Sequence, residues 1–174
     1  MELRDKVVVV TGGASGIGTG LCRRFREEGV RGLVIADLNG EAAAELAEEL
    51  DGTSYALDVR DESAIAAMVA ETEAEFGQID LFCSNAGILN LDGDDYWATS
   101  SNNDVWQKNW EVHVMAHIYA ARACLPGMIE RCEGHFLHTV SAAGLLTQPY
   151  TAAYATTKHA AIGFAESLAI THGD

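Results

Sequence analysis

The sequence predicts an α/β protein in which a doubly wound parallel sheet is covered by helices on both faces. Short apolar or β-branched runs alternate with longer stretches whose apolar residues recur every three or four positions. Two of the runs, at 7–10 and 33–36, are continuously apolar, which is typical of strands buried on both faces. This alternation indicates a parallel sheet, and the length of 174 residues predicts a single domain, 1–174.

The elements follow one another as strand and helix pairs, with glycine or aspartate at the strand ends. We expect strands at 6–11, 32–37, 53–58, 80–85 and 135–141. We expect helices at about 16–28, 40–50, 62–76, 103–131 and 154–171. The segment 89–104 shows neither pattern; it is polar, long for a connection, and of the kind that often borders an active site.

Composition and charge narrow the classes of function. The chain has 26 Asp and Glu against 11 Lys and Arg, a formal net charge of −15, so its surface repels nucleic-acid phosphates and anionic lipid headgroups. It lacks the apolar stretch of roughly 20 residues that a membrane-spanning helix needs, and its first residues do not resemble a signal peptide. We therefore expect a cytoplasmic protein that binds neither nucleic acid nor membrane.

The first strand leads directly into a glycine-rich turn with the sequence TGGASGIG, residues 11–18. Glycines there allow a tight turn, close approach of a phosphate to the backbone, and close packing of helix on strand. The N–H groups at the helix N-terminus attract the anion. A glycine turn by itself is as often a purely structural feature as a phosphate site, so the residues around it carry the prediction of a dinucleotide site. The candidate cofactor-binding residues of the turn are Gly12, Ser15, Gly16, Ile17 and Gly18.

Three later strand ends add candidate cofactor contacts at the same edge of the sheet. Asp37 ends the second strand about 20 residues beyond the glycines, where a carboxylate accepts hydrogen bonds from the adenosine ribose. Because it would repel a 2′-phosphate, we expect NAD rather than NADP; a helix-capping aspartate is the alternative. Ordinary turn chemistry is the alternative for the ends of the third and fourth strands. The candidate residues at those two ends are Asp58, Val59, Asn85, Ala86 and Gly87.

A serine, a tyrosine and a lysine follow in an order that indicates acid–base chemistry. Ser141 ends the fifth strand, and Tyr154 and Lys158 lie four positions apart at the start of the last helix. Residues four apart share a helical face, so the ammonium favours the phenolate and makes the tyrosine a usable general acid or base. Ser141 is placed to hydrogen-bond a substrate oxygen. Such a pair alone is far more often a surface accident, but the serine and the dinucleotide turn argue against an accident here.

In this order and at this spacing, the motifs resemble those of the short-chain dehydrogenase/reductase family, from residue 6 to the last helix. The resemblance implies a Rossmann-like fold with strand order 3-2-1-4-5 and NAD(P) as cofactor. It implies hydride exchange between the nicotinamide and an alcohol or ketone substrate. It implies that Tyr154 carries the proton, that Lys158 holds the nicotinamide ribose and that Ser141 holds the substrate oxygen. Tyr154 and Lys158 are also expected to contact the cofactor.

The sequence departs from the family pattern at His113. The family has an asparagine seven residues beyond a tryptophan that helps hold a water in the proton relay; counting from Trp106, His113 stands there. A neutral imidazole both donates and accepts a hydrogen bond, so we expect His113 to replace the asparagine in the relay, with a weakened relay as the alternative.

Leu145 and Gln148 are candidate substrate contacts, with core packing as the alternative for the leucine. No third ligand accompanies His113 and His117, so no metal site is predicted.

The resemblance also concerns the length and assembly of the chain. In the family the fold continues past the last helix with further strands and a substrate-covering segment, which this sequence lacks. The sequence therefore leaves two functions open. The favoured one is an NAD-dependent alcohol dehydrogenase or ketone reductase; the alternative is a truncated member that binds nucleotide or a partner chain without turnover. Subunits of the family pair through the helices expected at 103–131 and 154–171, so we expect a homodimer or homotetramer.

Overall fold

Strands and helices alternate along the chain in the computed structural model, which describes residues 1–93 and 95–173. The strands are β1 (Val7–Thr11), β2 (Gly32–Asp37), β3 (Thr53–Ala56), β4 (Leu81–Ser84) and β5 (His135–His138). The helices are α1 (Gly16–Glu27), α2 (Gly40–Glu49), α3 (Glu62–Phe76), α4 (Asn103–Trp110), α5 (Ala116–Glu130) and α6 (Ala152–His172). A π-helical turn, Glu111–Met115, joins α4 to α5, and a 3-10 turn, Ala142–Gly144, precedes α6. Across the described ranges, no helix has both the length and the apolar character needed to cross a membrane.

The described strands form one parallel sheet in the order β3-β2-β1-β4-β5. This confirms the α/β class and the strand order 3-2-1-4-5. The chain builds outward from β1 to β3, then returns to the other side of β1 to add β4 and β5. The reversal leaves a crevice at the carboxyl ends of β1 and β4, where ligands bind in sheets of this kind.

The core lies on both faces of β1, whose side chains alternate between two layers. Val7 and Val9 pack with residues of α3 and α5 on one face. Val8 and Val10 pack with residues of α1 and α2 on the other. All four are fully buried, as the continuous apolar run predicts, and each contributes about 1.5–3 kcal/mol through burial of its side chain.

Several element ends differ from the sequence-based expectation. β3 ends at Ala56 and β5 at His138, so Asp58 and Ser141 lie in the loops that follow these strands. The helix expected at 103–131 contains a π-helical turn, and α6 begins at Ala152 rather than at the tyrosine.

Side-chain hydrogen bonds lie just beyond both early strand ends. The N–H of Thr139 still donates to the Ser84 carbonyl at 3.1 Å, but its carbonyl accepts from the Lys158 ammonium at 3.1 Å. After β3, the Asp58 carboxylate accepts from the Arg60 N–H at 3.0 Å. Both bonds lie just beyond the last paired residues, so the catalytic and cofactor candidates lie on loops at the edge of the sheet.

Candidate active site

A groove of about 710 Å³ opens at the carboxyl edge of the sheet and contains most of the predicted site residues. Gly18 and His113 are buried and do not line it, and Leu145 and Gln148 are exposed outside it. The predicted residues that do line it are Gly12, Ser15, Gly16, Ile17, Asp37, Asp58, Val59, Asn85, Ala86, Gly87, Ser141, Tyr154 and Lys158.

The glycine turn leaves the start of α1 open to a ligand. Gly16 has φ of +51°, and a Cβ built there would meet no atom within 4 Å. Ser15, at the N-cap, makes no side-chain cap bond, so the N–H groups of the first helical turn keep no partner within the helix. Gly12, at φ +63°, has no such room, because a Cβ there would lie 2.8 Å from Ala86 Cα. The turn thus fits a pyrophosphate at the helix N-terminus.

Asp37 is held beside that turn by two backbone groups. Its carboxylate accepts from the N–H of Ala14 at 3.1 Å and from the N–H of Asn39 at 2.9 Å. Each oxygen takes one of these bonds and retains a further lone pair. A ribose hydroxyl can donate to that lone pair, whereas a 2′-phosphate would meet a fixed negative charge.

The loop after β3 brings one cation and one carboxylate to the groove, and α4 brings a second cation. The Arg60 guanidinium contacts both oxygens of Asp58, with Nη2 at 2.6 Å from Oδ2. This ion pair lowers the pKa of Asp58, and Lys108 on α4 acts in the same direction. Both cations line the groove. In a chain of net charge −15, they offset the repulsion that an anionic dinucleotide would meet.

The loops after β1, β4 and β5 are joined through Asn85. Its Nδ2 donates to the carbonyls of Thr11 and Gly12 at 3.1 and 3.0 Å. Its Oδ1 accepts from the Thr139 hydroxyl at 3.0 Å. The hydroxyl of Thr11 accepts from the Asn85 N–H at 3.1 Å. These bonds connect the part of the groove wall that holds the glycine turn with the part next to Lys158.

Lys158 is buried beside Tyr154, the residue it was predicted to assist. Its Nζ lies 5.7 Å from the centre of the tyrosine ring and donates to the Thr139 carbonyl at 3.1 Å. Burial lowers the pKa of Lys158 to about 8, so the ammonium is still charged at neutral pH. Ser141 accepts from the Ala143 N–H at 3.1 Å, which leaves its hydroxyl proton available for a substrate oxygen.

His113 is fully buried, and both of its ring nitrogens are engaged. Nε2 accepts from the Ile88 N–H at 3.0 Å, so Nδ1 carries the proton and donates to the Thr157 hydroxyl at 2.9 Å. That hydroxyl donates onward to the Ala153 carbonyl at 2.8 Å. Burial, followed by the charge of Lys158, lowers the pKa of His113 to about 3, so the ring is neutral.

This geometry differs from the expectation that the His113 ring holds a relay water. A neutral imidazole makes one donor and one acceptor bond, and both are used within the protein. The ring instead links the loop after β4 to α6, at the turn that carries the tyrosine. His113 therefore joins these two segments by hydrogen bonds.

A family model for short chain dehydrogenases matches residues 6–174. The chain belongs to the short-chain dehydrogenase family. Among its curated relatives, the 1-deoxy-11-beta-hydroxypentalenate dehydrogenase of Streptomyces exfoliatus is 35% identical over 97% of this chain and 62% of its own length. The 3beta-hydroxysteroid dehydrogenase 2 of Eggerthella lenta is also 35% identical, over 99% of this chain and 67% of its own length.

Solved structures agree with this short-chain dehydrogenase fold. Apo LigO from Sphingobium sp. strain SYK-6 superposes with a TM-score of 0.89 at 32% identity, covering 99% of this chain and 65% of that one. A short-chain dehydrogenase/reductase from Burkholderia phymatum in complex with NAD gives a TM-score of 0.86 at 28% identity, covering 97% of this chain and 60% of that one. The chain thus spans about three fifths of the length of these solved relatives.

Some contributors to the site of this short-chain dehydrogenase were missed in the sequence. Thr157 directly precedes Lys158, and a hydroxyl on the same helical turn was a usable signal. Thr139 acts through its backbone carbonyl, for which residue type gives no signal. Arg60 lies two residues after Asp58, and that short spacing was a usable signal. Lys108 reaches the groove from a distant helix, so its position in the sequence gave no signal.

Proposed function

We propose that this short-chain dehydrogenase interconverts an alcohol and a ketone with NAD as its cofactor. The observation that carries the proposal is the meeting of Ser141, Tyr154 and Lys158 in the groove that also contains the glycine turn. A relative with NAD bound in its solved structure supports the nicotinamide cofactor. The carboxylate of Asp37 favours NAD over NADP because it would repel a 2′-phosphate.

In the proposed reaction, the hydride and the proton are transferred to different groups. When bound, the nicotinamide accepts the hydride from the alcohol carbon or returns it to the ketone carbon. Tyr154 as phenolate takes the hydroxyl proton during oxidation and gives it back during reduction. Lys158 favours the phenolate by its positive charge. Ser141 donates a hydrogen bond to the substrate oxygen and holds it beside the phenol.

The cofactor is proposed to lie along the groove from α1 towards α6. Its pyrophosphate meets the N-terminus of α1, and Asp37 accepts from the adenosine ribose. The loop 58–59 borders the adenine, and the loop 85–87 lies between the two nucleotides. Gly18 supports this arrangement by packing, since a Cβ there would collide with the Gly12 carbonyl.

The substrate is proposed to carry an apolar group next to its reacting carbon. Leu145 and Leu146, which follow the catalytic serine, are 75% and 71% exposed. Contact with an apolar substrate would bury both side chains, and full burial of a leucine is worth roughly 1.5–3 kcal/mol. Gln148 is exposed on the same segment and adds a polar contact. Two relatives are named for dehydrogenation of a hydroxypentalenate and of a hydroxysteroid.

The assembly is proposed to be a homodimer or homotetramer formed through α5 and α6. An apolar groove of about 590 Å³ runs between these helices, lined by Ile118, Leu125, Ile129, Phe164 and Leu168 among others. A second copy presents the same apolar helices, so pairing would cover both grooves together. A cytoplasmic location and the absence of nucleic-acid and membrane partners stay predictions from composition.

Turnover and binding measured on the same protein test the proposed function. The chain is incubated with NAD and secondary alcohols that carry apolar groups, and NADH formation is followed. Tyr154→Phe is expected to lower kcat by about 10²- to 10⁴-fold, because the acid–base group is lost, while NADH binding by calorimetry is kept. Tyr150→Phe is the matched control: Tyr150 is exposed and phenylalanine keeps the ring that packs on Tyr96, so full activity is expected.

The other outcomes separate the rival functions. NADH binding without turnover of any alcohol or ketone would favour a nucleotide-binding member without catalysis. If neither cofactor form binds, the proposed function is wrong. Equal activity of Tyr154→Phe and the unaltered chain would remove the tyrosine from the mechanism.

A further inference from the structure

The carboxylate of Asp92 caps a helix that lies 60 residues away in sequence. Asp92 is only 6% exposed, although Asp95 on the same segment is exposed. Both carboxylate oxygens lie within hydrogen-bonding distance of the Ala152 nitrogen, at 3.0 and 3.2 Å. The N–H of Asp92 donates to the Tyr150 carbonyl at 2.8 Å, and the Ser101 hydroxyl makes a longer bond of 3.4 Å to the carboxylate. Asp92 thus ties the loop after β4 to the start of α6.

α6 has no side-chain cap of its own. Ala152 is its first residue, so the N–H there has no acceptor within the helix. Thr151 stands at the N-cap but makes no side-chain cap bond; its hydroxyl donates to the Gln148 carbonyl at 3.2 Å. Asp92 supplies the missing acceptor and also the negative charge that stabilises a helix N-terminus.

The capped turn is the one that carries the catalytic tyrosine. Tyr154 lies in the first turn of α6, two residues after Ala152, whose N–H is capped. Tyr150, just before the helix, has φ of +64°, which non-glycine residues rarely adopt. Its ring packs edge to face on Tyr96 at 5.4 Å between centroids. The entry to α6 is therefore held by contacts from the loop after β4 rather than by its own sequence.

We propose that Asp92 is a positioning residue, which fixes the first turn of α6 and so keeps the Tyr154 hydroxyl aligned with Ser141. Its kinetic consequence rests on the proposed function, whereas its structural consequence does not. Proton transfer needs the reacting atoms within hydrogen-bond reach, so a small displacement of the turn lowers turnover. The glycine turn and Asp37 belong to other elements, so cofactor affinity is expected to stay unchanged.

Two substitutions separate the loss of the cap from the loss of charge. Asp92→Ala removes the acceptor for the Ala152 N–H and is expected to lower kcat on the order of 10-fold, with the Kd for NADH unchanged. Asp92→Asn keeps an amide oxygen at the same place and is expected to restore most of that loss. Asp95→Ala removes an exposed carboxylate from the same segment and serves as the control with unchanged kcat.

Amide hydrogen exchange provides a readout that does not depend on activity. Asp92 accepts from the N–H of Ala152, and the first hydrogen bond within α6 runs from the N–H of Ala155 to the Thr151 carbonyl at 2.8 Å. Exchange at 152 and 155 is expected to be about 10-fold faster in Asp92→Ala than in the unaltered chain, and slower again in Asp92→Asn, with the middle of α6 unchanged. Unchanged exchange in Asp92→Ala would overturn the proposal, and so would an equal loss of kcat in Asp95→Ala. If the unaltered chain shows no turnover, the proposed function fails, and exchange at 152 and 155 still decides whether Asp92 fixes the start of the helix.

Discussion

Burial decides which of two neighbouring basic residues carries charge. Lys158 and His113 both lie in the interior near the tyrosine, and the lysine charge itself lowers the pKa of the histidine. The ammonium keeps a pKa of about 8, whereas the imidazole is lowered to about 3. A second cation here would be repelled by the first. The structure therefore leaves a single buried positive charge beside the tyrosine and a neutral ring that acts through hydrogen bonds.

Substitution of His113 tests this division of roles. Because the ring is neutral from about pH 5 to 9, His113→Asn is expected to leave the shape of the kcat/KM pH profile unchanged. His113→Leu leaves the Ile88 N–H without an acceptor and is expected to lower the free energy of unfolding by about 1–3 kcal/mol. Kinetics across that pH range and urea unfolding measure the two effects. Disappearance of an inflection near pH 6–7 in His113→Asn would show that the ring titrates during turnover.

At the scale of elements, local chemistry could be predicted from the sequence and distant contacts could not. The glycine turn and the tyrosine–lysine pair were predictable because their chemistry fixes the residue types and their spacing. The π-helical turn in 103–131 was not, because no residue type marks the i→i+5 bonds of such a turn. Neither was the capped start of α6, since its acceptor Asp92 comes from another loop. Sequence patterns identify elements well, whereas their ends depend on bonds made in three dimensions.

The glycine turn gives a prediction that compares two glycines of one segment. Gly12→Ala forces a Cβ to within 2.8 Å of Ala86 Cα at a φ of +63°, and is expected to cost about 1–3 kcal/mol of stability. NADH binding is expected to weaken on the order of 10-fold, because the turn must shift away from the phosphate. Urea unfolding and calorimetry measure both quantities.

Gly20→Ala is the control for that substitution. Gly20 is exposed on α1, and a Cβ there meets nothing within 4 Å. Alanine is expected to stabilise the helix by roughly 0.5–1 kcal/mol and to leave cofactor binding unchanged. Equal NADH affinity of Gly12→Ala and Gly20→Ala would remove the glycine turn from the cofactor site.

At the scale of the whole molecule, its buried histidines make stability depend on pH. Burial lowers the pKa values of His113 and His117 to about 3, and that of His138 to about 4. His117 and His138 meet through their Nδ1 atoms at 3.1 Å, between α5 and β5. In the described residues, the Nε2 atom of each has no hydrogen-bond partner. Protonation of either ring would place an uncompensated charge between α5 and β5, and a charge on His117 would also be repelled by the Lys158 ammonium.

The direction of the pH effect follows from where the protons bind. An unfolded histidine has a pKa near 6.5, so between about pH 6.5 and 4 the unfolded chain binds more protons than the folded one. The free energy of unfolding is therefore expected to fall as the pH drops through this range, by up to about 1.4 kcal/mol per pH unit for each histidine. Urea unfolding at a series of pH values measures the slope.

A double substitution identifies the histidine pair as the source of that slope. His117→Leu with His138→Phe removes both rings together, so neither is left without its partner. Phe at 138 fits between Phe136 and Phe164, whose rings lie 6.1 Å from the imidazole. The double variant is expected to lose up to about 3 kcal/mol per pH unit of the dependence. His135→Gln, at an exposed position, is expected to keep the full slope. An equal slope in the double variant and the unaltered chain would show that other groups set the acid sensitivity.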